Sequence, residues 1–177
     1  MAADSRGNDI GAVPIPVTGF AAINLTATAV PAMADLKADT LPSGYTYLGL
    51  FTEDGGYAEE TDTGDTIEFF QQGYSLKAGD ESLKGSITFA ENSDLLRQLL
   101  GYDAGTSGTR KTTLRQGQFG LVIATTHKNG KTLIRGGLAS VDDASVSQEK
   151  RGDVTTMEVT FKWAWATDTG FYRWKVL

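Results

Sequence analysis

The chain has 177 residues, of which 40% are hydrophobic and 21% charged, and it contains 21 glycines and four prolines. This length suits one domain, and the many glycines favour an all-β protein over a helix bundle. The absence of cysteine excludes disulfides, a thiolate nucleophile and a thiolate metal site, and the formal net charge of −6 argues against tight binding of nucleic acid.

Residues 1–44 are predicted to form an extended N-terminal arm, followed by a single β-domain at residues 45–177. The arm carries all four prolines and no clean periodicity, with one short helical turn expected after Pro31. We expect it to order partly on assembly, with disorder as the alternative. Its polar start does not resemble a secretory signal. No window approaches the roughly 18 apolar residues of a membrane helix, so we expect synthesis in the cytoplasm and no membrane partner.

The first part of the domain contains three predicted strands. Residues 45–51 form an aromatic and apolar run that ends at a turn. Residues 66–76 are rich in β-formers and interrupted at Gly73, which indicates a bend or bulge in one strand. Residues 83–90 alternate between apolar and polar side chains, as a half-buried strand requires. The acidic residues between the first two strands are interpreted as a loop.

A helix is predicted directly after these strands. Asn92 or Ser93 can cap its N-terminus, Asp94 complements the dipole, and Gly101 can end it in a left-handed conformation. Four leucines then fall on one face and are predicted to pack in the core: Leu95, Leu96, Leu99 and Leu100.

The second half carries the longest predicted strands. Residues 119–126 and 132–141 flank Asn129-Gly130, which is the strongest local signal for a hairpin, and Gly136 and Gly137 are expected to kink the return strand. Residues 154–166 alternate over a dozen positions, and residues 171–176 form a last strand. The apolar side of the long strand is Thr155, Met157, Val159, Phe161, Trp163 and Trp165, of which Val159, Phe161 and Trp163 join Phe89 in the predicted core.

Two blocks of opposite charge divide the chain. Seven acids and no base lie between residues 53 and 68, and six bases and no acid between 104 and 141. The blocks can fold against each other, meet between neighbouring copies, or form separate solvated faces. The predicted contact residues are Glu53, Asp54, Glu59, Glu60, Asp62, Asp65, Arg110, Lys111 and Arg115.

No catalytic or cofactor site can be assembled from the sequence. His127 is the single histidine and lies beside the predicted hairpin tip, without an orienting partner. Residues 105–112 lack the glycine before lysine that a phosphate-binding loop needs. The adjacent acids Asp142 and Asp143, like Asp80 and Glu81, are interpreted as turn residues at strand ends. We therefore predict a protein that is not an enzyme and needs no cofactor or metal.

The tryptophans leave one alternative open. Phe161, Trp163 and Trp165 are spaced like a stacking platform, although their regular alternation favours the core. In a monomeric β-sandwich binding module, Trp163, Trp165 and Trp174 would instead form an exposed recognition surface.

An ordered set of segments resembles the major tail tube proteins of long-tailed, siphovirus-type bacteriophages, particularly those of actinobacterial hosts. The resemblance covers residues 45–101, with the β-rich character of the remainder. Phe69 and Phe70 stand where the family has tryptophan. The segments are Tyr47-Leu48-Gly49-Leu50, Glu53-Asp54-Gly55, Ile67-Glu68-Phe69-Phe70-Gln71-Gln72-Gly73, Lys84-Gly85-Ser86-Ile87-Thr88-Phe89-Ala90-Glu91-Asn92 and Leu100-Gly101.

This resemblance implies a β-sandwich or partly open barrel with one short flanking helix, assembling with itself as hexameric rings stacked into a virion tail tube. Partners would be a tail initiator or distal tail protein, a tape measure and a terminator. DNA would pass through the lumen without specific binding, which needs a neutral to acidic wall. The lumen candidates are Thr156, Glu158 and Thr160, with Lys162 an exception on the same side. A tube subunit of a contractile tail or phage-derived secretion system is a further alternative.

Overall fold

The computed structural model describes residues 12–64, 66–70, 72–77, 81–105, 107–111 and 113–177. Within them, a short 3-10 helix (Met33–Asp35) and one α-helix, α1 (Asp94–Leu99), accompany ten strands. The strands are β1 (Pro16–Asn24), β2 (Thr46–Tyr47), β3 (Ala58–Asp62), β4 (Thr66–Glu68), β5 (Ser75–Lys77), β6 (Ser82–Phe89), β7 (Phe119–His127), β8 (Thr132–Val146), β9 (Met157–Trp163) and β10 (Tyr172–Val176).

Eight of these strands form one antiparallel sheet in the order β2-β1-β7-β8-β9-β6-β3, with β10 also paired to β8. The long strand β8 joins the two halves of the sheet. Its first part pairs with β7 and β10. Its second part pairs with β9 from Ala139 to Val146, with a register shift between Val141 and Asp143. The predicted fold class is confirmed: the protein is mainly β and sandwich-like, with one short helix.

The chain between β2 and β3 links the two edges of this sheet. The amide of Leu48 donates to Ala21 of β1 at 2.9 Å, and the amide of Thr52 donates to Thr88 of β6 at 3.0 Å. Phe51 forms an isolated bridge with Phe89. Because β2 has only two residues, these contacts bring the two edges of the sheet closer together without closing the sheet into a barrel.

The main core lies between the facing halves of the sheet. Trp163, Phe89, Phe119 and Phe161 are its largest fully buried side chains. The rings of Phe119 and Phe161 meet edge to face at 6.2 Å between centroids, one from each half. Helix α1 covers the core with buried Leu96, Leu99 and Leu100, while Leu95 is partly buried and Val159 fully buried.

A second apolar cluster lies on the opposite face of β1, β7 and β8. Residues 25–45 cross this face and place Leu36 against Val122, Ala124 and Ile134. Gly136 permits this approach, because a Cβ at that position would lie 2.7 Å from a Leu36 methyl carbon. The strands of this half are therefore covered on both sides.

Local sequence signals correctly located several elements. The predicted strand at 83–90 is β6, the hairpin at Asn129-Gly130 joins β7 and β8, and the last predicted strand is β10. Ser93 caps α1 by accepting from the Leu96 amide at 3.1 Å, and Gly101 ends it at a φ of +86°. These predictions are confirmed.

Four predictions about the strands are corrected. Residues 16–24 form β1, and part of the predicted acidic loop forms β3. Residues 66–76 are not one bent strand. They contribute the ribbon β4–β5, whose turn contains Gly73 at a φ of +90°. The irregularity of β8 lies at Val141 and Asp143 rather than at the glycines, since Gly136 and Gly137 keep regular pairing with β7.

The long predicted strand is shorter than expected. It ends as β9 at Trp163, so Trp165 lies beyond the strand; its side chain is 68% exposed, with the ring against Phe171 at 5.2 Å between centroids. Asp65, Gln71, Asp80 and residues 1–11 lie outside the described residues. The division of the chain at residue 44 stays a prediction.

Candidate functional site

One face of the second half of the sheet is polar across four strands. In the register of β9, Thr160 lies between Ser86 and Asp143, and Glu158 lies between Thr88 and Ser145. We call this surface the polar sheet face. It comprises Ala58, Glu60, Asp62, Lys84, Ser86, Thr88, Ser140, Asp142, Asp143, Ser145, Glu158, Thr160 and Lys162.

Acids outnumber bases on the polar sheet face. Its charged residues are five acids, Glu60, Asp62, Asp142, Asp143 and Glu158, and two lysines, Lys84 and Lys162. The Lys84 ammonium lies 2.7 Å from an Asp142 carboxylate oxygen. That hydrogen bond raises the pKa of Lys84. The face is therefore a hydroxyl-rich surface with a net negative charge.

Two of the three lumen candidates lie within β9 on this face. Glu158 is exposed and Thr160 half-buried in the isolated chain. Thr156 directly precedes β9, where its amide donates to the Ser147 hydroxyl at 2.8 Å and its carbonyl accepts from the Ser147 amide at 2.9 Å. Lys162 shares the face, as the alternation predicted.

The sheet that carries this face has an open edge on each side. In the described part of the chain, β3 pairs with β6 on one side only. The part of β8 from Ser140 to Val146 pairs with β9 on one side only. Unpaired N–H and C=O groups at such edges can template pairing with another chain.

A two-stranded ribbon, β4–β5, stands apart from the main sheet. It is held by its own pairing and by a bond from the Phe69 amide to the Tyr74 carbonyl at 3.1 Å. Phe70 at its turn is fully exposed. The exposed apolar side chains of this apolar ribbon are Ile67, Phe69, Phe70, Tyr74 and Leu76.

A partly exposed polar cluster links β3 to β8, β9 and β10. The Tyr57 hydroxyl accepts from the Trp163 indole at 2.9 Å and donates to Glu59 at 2.8 Å. Glu59 also accepts from the Tyr172 hydroxyl at 3.0 Å, and Arg135 stacks on the Tyr57 ring at 4.8 Å. Burial raises the pKa of Tyr57 well above its usual range. Sequence reasoning missed this cluster, because its members come from four distant strands.

Some of the predicted contact residues bind other residues of the same chain, and others lie on its surface. Glu59 belongs to an exposed strand, but its carboxylate meets Arg135 at 3.8 Å, so this pair joins the two charge blocks inside one chain. Arg115 is half-buried and donates to the Leu25 carbonyl at 3.1 Å. Arg110 stacks on Tyr102 at 5.2 Å. The exposed members among the described residues are Glu53, Asp54, Glu59, Glu60, Asp62, Arg110 and Lys111.

Residues with metal-binding or catalytic potential are dispersed. Asp142 and Asp143 lie within β8 rather than in a turn, because the register shift places both at the polar sheet face. The His127 ring lies 3.3 Å from the Lys131 carbonyl at the hairpin tip. Across the described ranges, no three His, Cys, Asp or Glu residues converge as ligands for a metal ion. No helix among those ranges has the length and apolarity to span a bilayer.

Comparisons with known proteins give a similarity to solved structures and none to family models or curated sequences. The chain matches no protein-family model and no curated protein sequence. Among solved structures, it is similar to the SPP1 tail tube, determined by solid-state NMR and cryo-EM. The match has 9% sequence identity, a TM-score of 0.45, and coverage of 81% of this chain and 72% of that one.

Proposed function

We propose that this chain is the structural subunit of a long-tailed phage tail tube, assembling with itself into hexameric rings that stack around a lumen. The observation that carries the proposal is the polar sheet face bounded by the two open edges of β3 and β8. The ordered segments between residues 45 and 101 that resemble tail tube proteins support it independently.

The polar sheet face has the chemistry that a DNA-conducting wall requires. DNA slides freely only where lysine and arginine do not make several phosphate contacts at once. Most side chains on this face carry hydroxyls or carboxylates, and Lys84 forms an ion pair with Asp142. Thr156, Glu158 and Thr160 would then line the lumen, and DNA would pass during ejection without specific binding.

The open edges supply the means of closing a ring. The β3 edge of one copy would contact the β8 edge of the next, which is a head-to-tail contact between two different surfaces. Such contacts form a closed ring when a whole number of copies completes a full turn. Closure would remove both edges, which are an aggregation hazard in a free subunit.

The apolar ribbon supports contacts between rings. Five exposed apolar side chains on a ribbon that has no core of its own gain most by burial against another copy. The exposed charges Glu53, Asp54, Arg110 and Lys111 would add contacts at the same interfaces, and residues 1–44 would order partly on assembly.

The role is structural rather than enzymatic and would place the chain in the virion tail after synthesis in the host cytoplasm. An initiator or distal tail protein, a tape measure and a terminator would set where the tube begins and how long it grows. A contractile-tail tube would use the same ring within a sheath.

A binding module is a second candidate, because Trp165 and Trp174 are 68% and 60% exposed. Such a module would stay monomeric and its tryptophans would respond to ligand. Trp163 cannot take part in that surface, since it is buried in the core.

Negative-stain electron microscopy of the concentrated chain tests the proposal, across low and high salt. We expect rings or hollow tubes of uniform width. Because the chain has no cysteine, Ala58→Cys combined with Ser145→Cys should yield disulfide-linked ladders, whereas Ala58→Cys with Ser107→Cys should not. Monomers at every salt concentration would favour the binding module.

A further inference from the structure

We propose that carboxylates on the two open edges of the polar sheet face hold free copies apart, so that self-association depends on screening by salt. This inference rests on the proposed function and concerns its regulation. The residues are Glu60 and Asp62 on β3, and Asp142 and Asp143 on β8.

Both edges carry the same sign of charge. Every residue of β3 is exposed, and Glu60 and Asp62 alternate with inward-facing neighbours, so both lie on the polar side of the edge. On the opposite edge, Asp142 and Asp143 are exposed at the register shift of β8. In the proposed ring, the joined edges would therefore carry carboxylates on both sides of the contact.

The two lysines on this face offset only part of its negative charge, since the face carries five acids. Lys84 binds Asp142 at 2.7 Å in the same copy and lies opposite Glu60 in the register of β3 and β6, so one ammonium is shared among several edge carboxylates. Lys162 lies on β9, which is an interior strand of the sheet between β6 and β8. Like charges opposite each other across paired strands are destabilising, and charged residues on an edge are a common protection against pairing.

Repulsion between these carboxylates would therefore prevent the β3 edge of one copy from pairing with the β8 edge of the next until salt or a partner neutralises the charge. Raising salt from about 10 mM to about 1 M shortens the Debye length from about 30 Å to about 3 Å. We therefore expect the concentration needed for assembly to fall by about tenfold over that range.

The test compares three versions of the full chain. The edge variant is Glu60→Gln with Asp143→Asn, which keeps the Lys84–Asp142 pair. The control is Glu149→Gln with Asp168→Asn, which makes the same change in net charge at exposed positions off the sheet edges. Circular dichroism shows that each version is folded, and sedimentation with negative-stain microscopy measures assembly.

We expect the edge variant to assemble at low salt, while the original chain and the control need high salt. Equal assembly of the original chain at both salt concentrations would overturn the inference and leave the tube proposal intact. A control that assembles as readily as the edge variant would also overturn it, since net charge would then suffice. Failure of all three versions at high salt would contradict the tube proposal itself.

Discussion

Two tyrosine hydroxyls show how differently buried polar atoms are treated in this fold. The Tyr57 hydroxyl has two partners, Trp163 and Glu59. The Tyr45 hydroxyl is buried near Gly120 and has no hydrogen-bond partner among the described residues. An unsatisfied buried group costs about 1–3 kcal/mol, whereas a paired one contributes modestly.

The two tyrosines should therefore respond oppositely to loss of the hydroxyl. Tyr45→Phe is expected to raise the free energy of unfolding by about 1 kcal/mol, because it removes an unsatisfied group. Tyr57→Phe is expected to lower it by about 1–2 kcal/mol, because Trp163 loses its acceptor. Urea denaturation followed by fluorescence measures both, and a loss of stability in Tyr45→Phe would contradict the assignment.

Alkaline pH should reveal the same burial. Burial raises the pKa of Tyr45 from the ordinary tyrosine value of 10.0 to about 12. The stability that this contributes is fully present below about pH 10 and is lost as the pH rises towards 12, because the unfolded chain releases its proton first. The urea midpoint should fall over this window and fall less steeply in Tyr45→Phe. Burial also raises the pKa of Tyr57 and of Tyr172, and Asp142 raises that of Lys84, so these three groups would contribute to the remaining slope.

At the scale of elements, the sequence predicted those helices and hairpins that are stabilised by contacts between residues close together in the chain. The cap at Ser93 and the turn at Asn129-Gly130 act within a few residues, so α1 and the β7–β8 hairpin were located correctly. β1 lacks alternation because Ala21, Ala22 and Ile23 are all buried, by the core on one side and by residues 25–45 on the other. No local pattern could indicate that cover.

β3 was missed for a related reason. An edge strand is exposed on its outer side, and its inward-facing acid, Glu59, is held by two tyrosine hydroxyls from elsewhere in the chain. The sequence therefore shows acids at consecutive positions, which is typical of a loop. Only the long-range contacts make this segment a strand.

The helix cap offers a test at this scale. The Ser93 hydroxyl accepts from the Leu96 amide and donates to the Leu48 carbonyl at 2.6 Å, so it ties α1 to the chain beside β2. Ser93→Ala is expected to cost about 1–2 kcal/mol of unfolding free energy. Asn92→Ala is the matched control, because Asn92 is exposed one position earlier. Equal effects of the two changes on urea denaturation would contradict the capping assignment.

At the scale of the whole molecule, alternation along β9 predicted which of its residues share a polar side. It could not predict their neighbours, because strand register is set by contacts far apart in sequence. The acids of β3 and β8 lie beside Glu158 and Thr160 only through that register. The polar sheet face is therefore continuous across four strands, and its net charge depends on residues from all four.

In the proposed tube, the charge of the polar sheet face should decide whether DNA binds to the lumen. Replacing Glu158 and Thr160 by lysine adds phosphate contacts on every copy around the lumen, and each neutralised phosphate strengthens binding in a salt-dependent manner. Tubes of Glu158→Lys with Thr160→Lys should retain a fluorescent DNA oligonucleotide on sedimentation at low salt and release it at high salt, while original tubes should not retain it.

Gln148→Lys with Glu149→Lys is the control variant, because it makes the same change in charge at exposed positions off the polar sheet face. If both variants retained DNA equally, net charge would explain binding and the polar sheet face would lose its place as the lumen wall. Retention confined to the β9 variant would locate the path of DNA along Glu158 and Thr160.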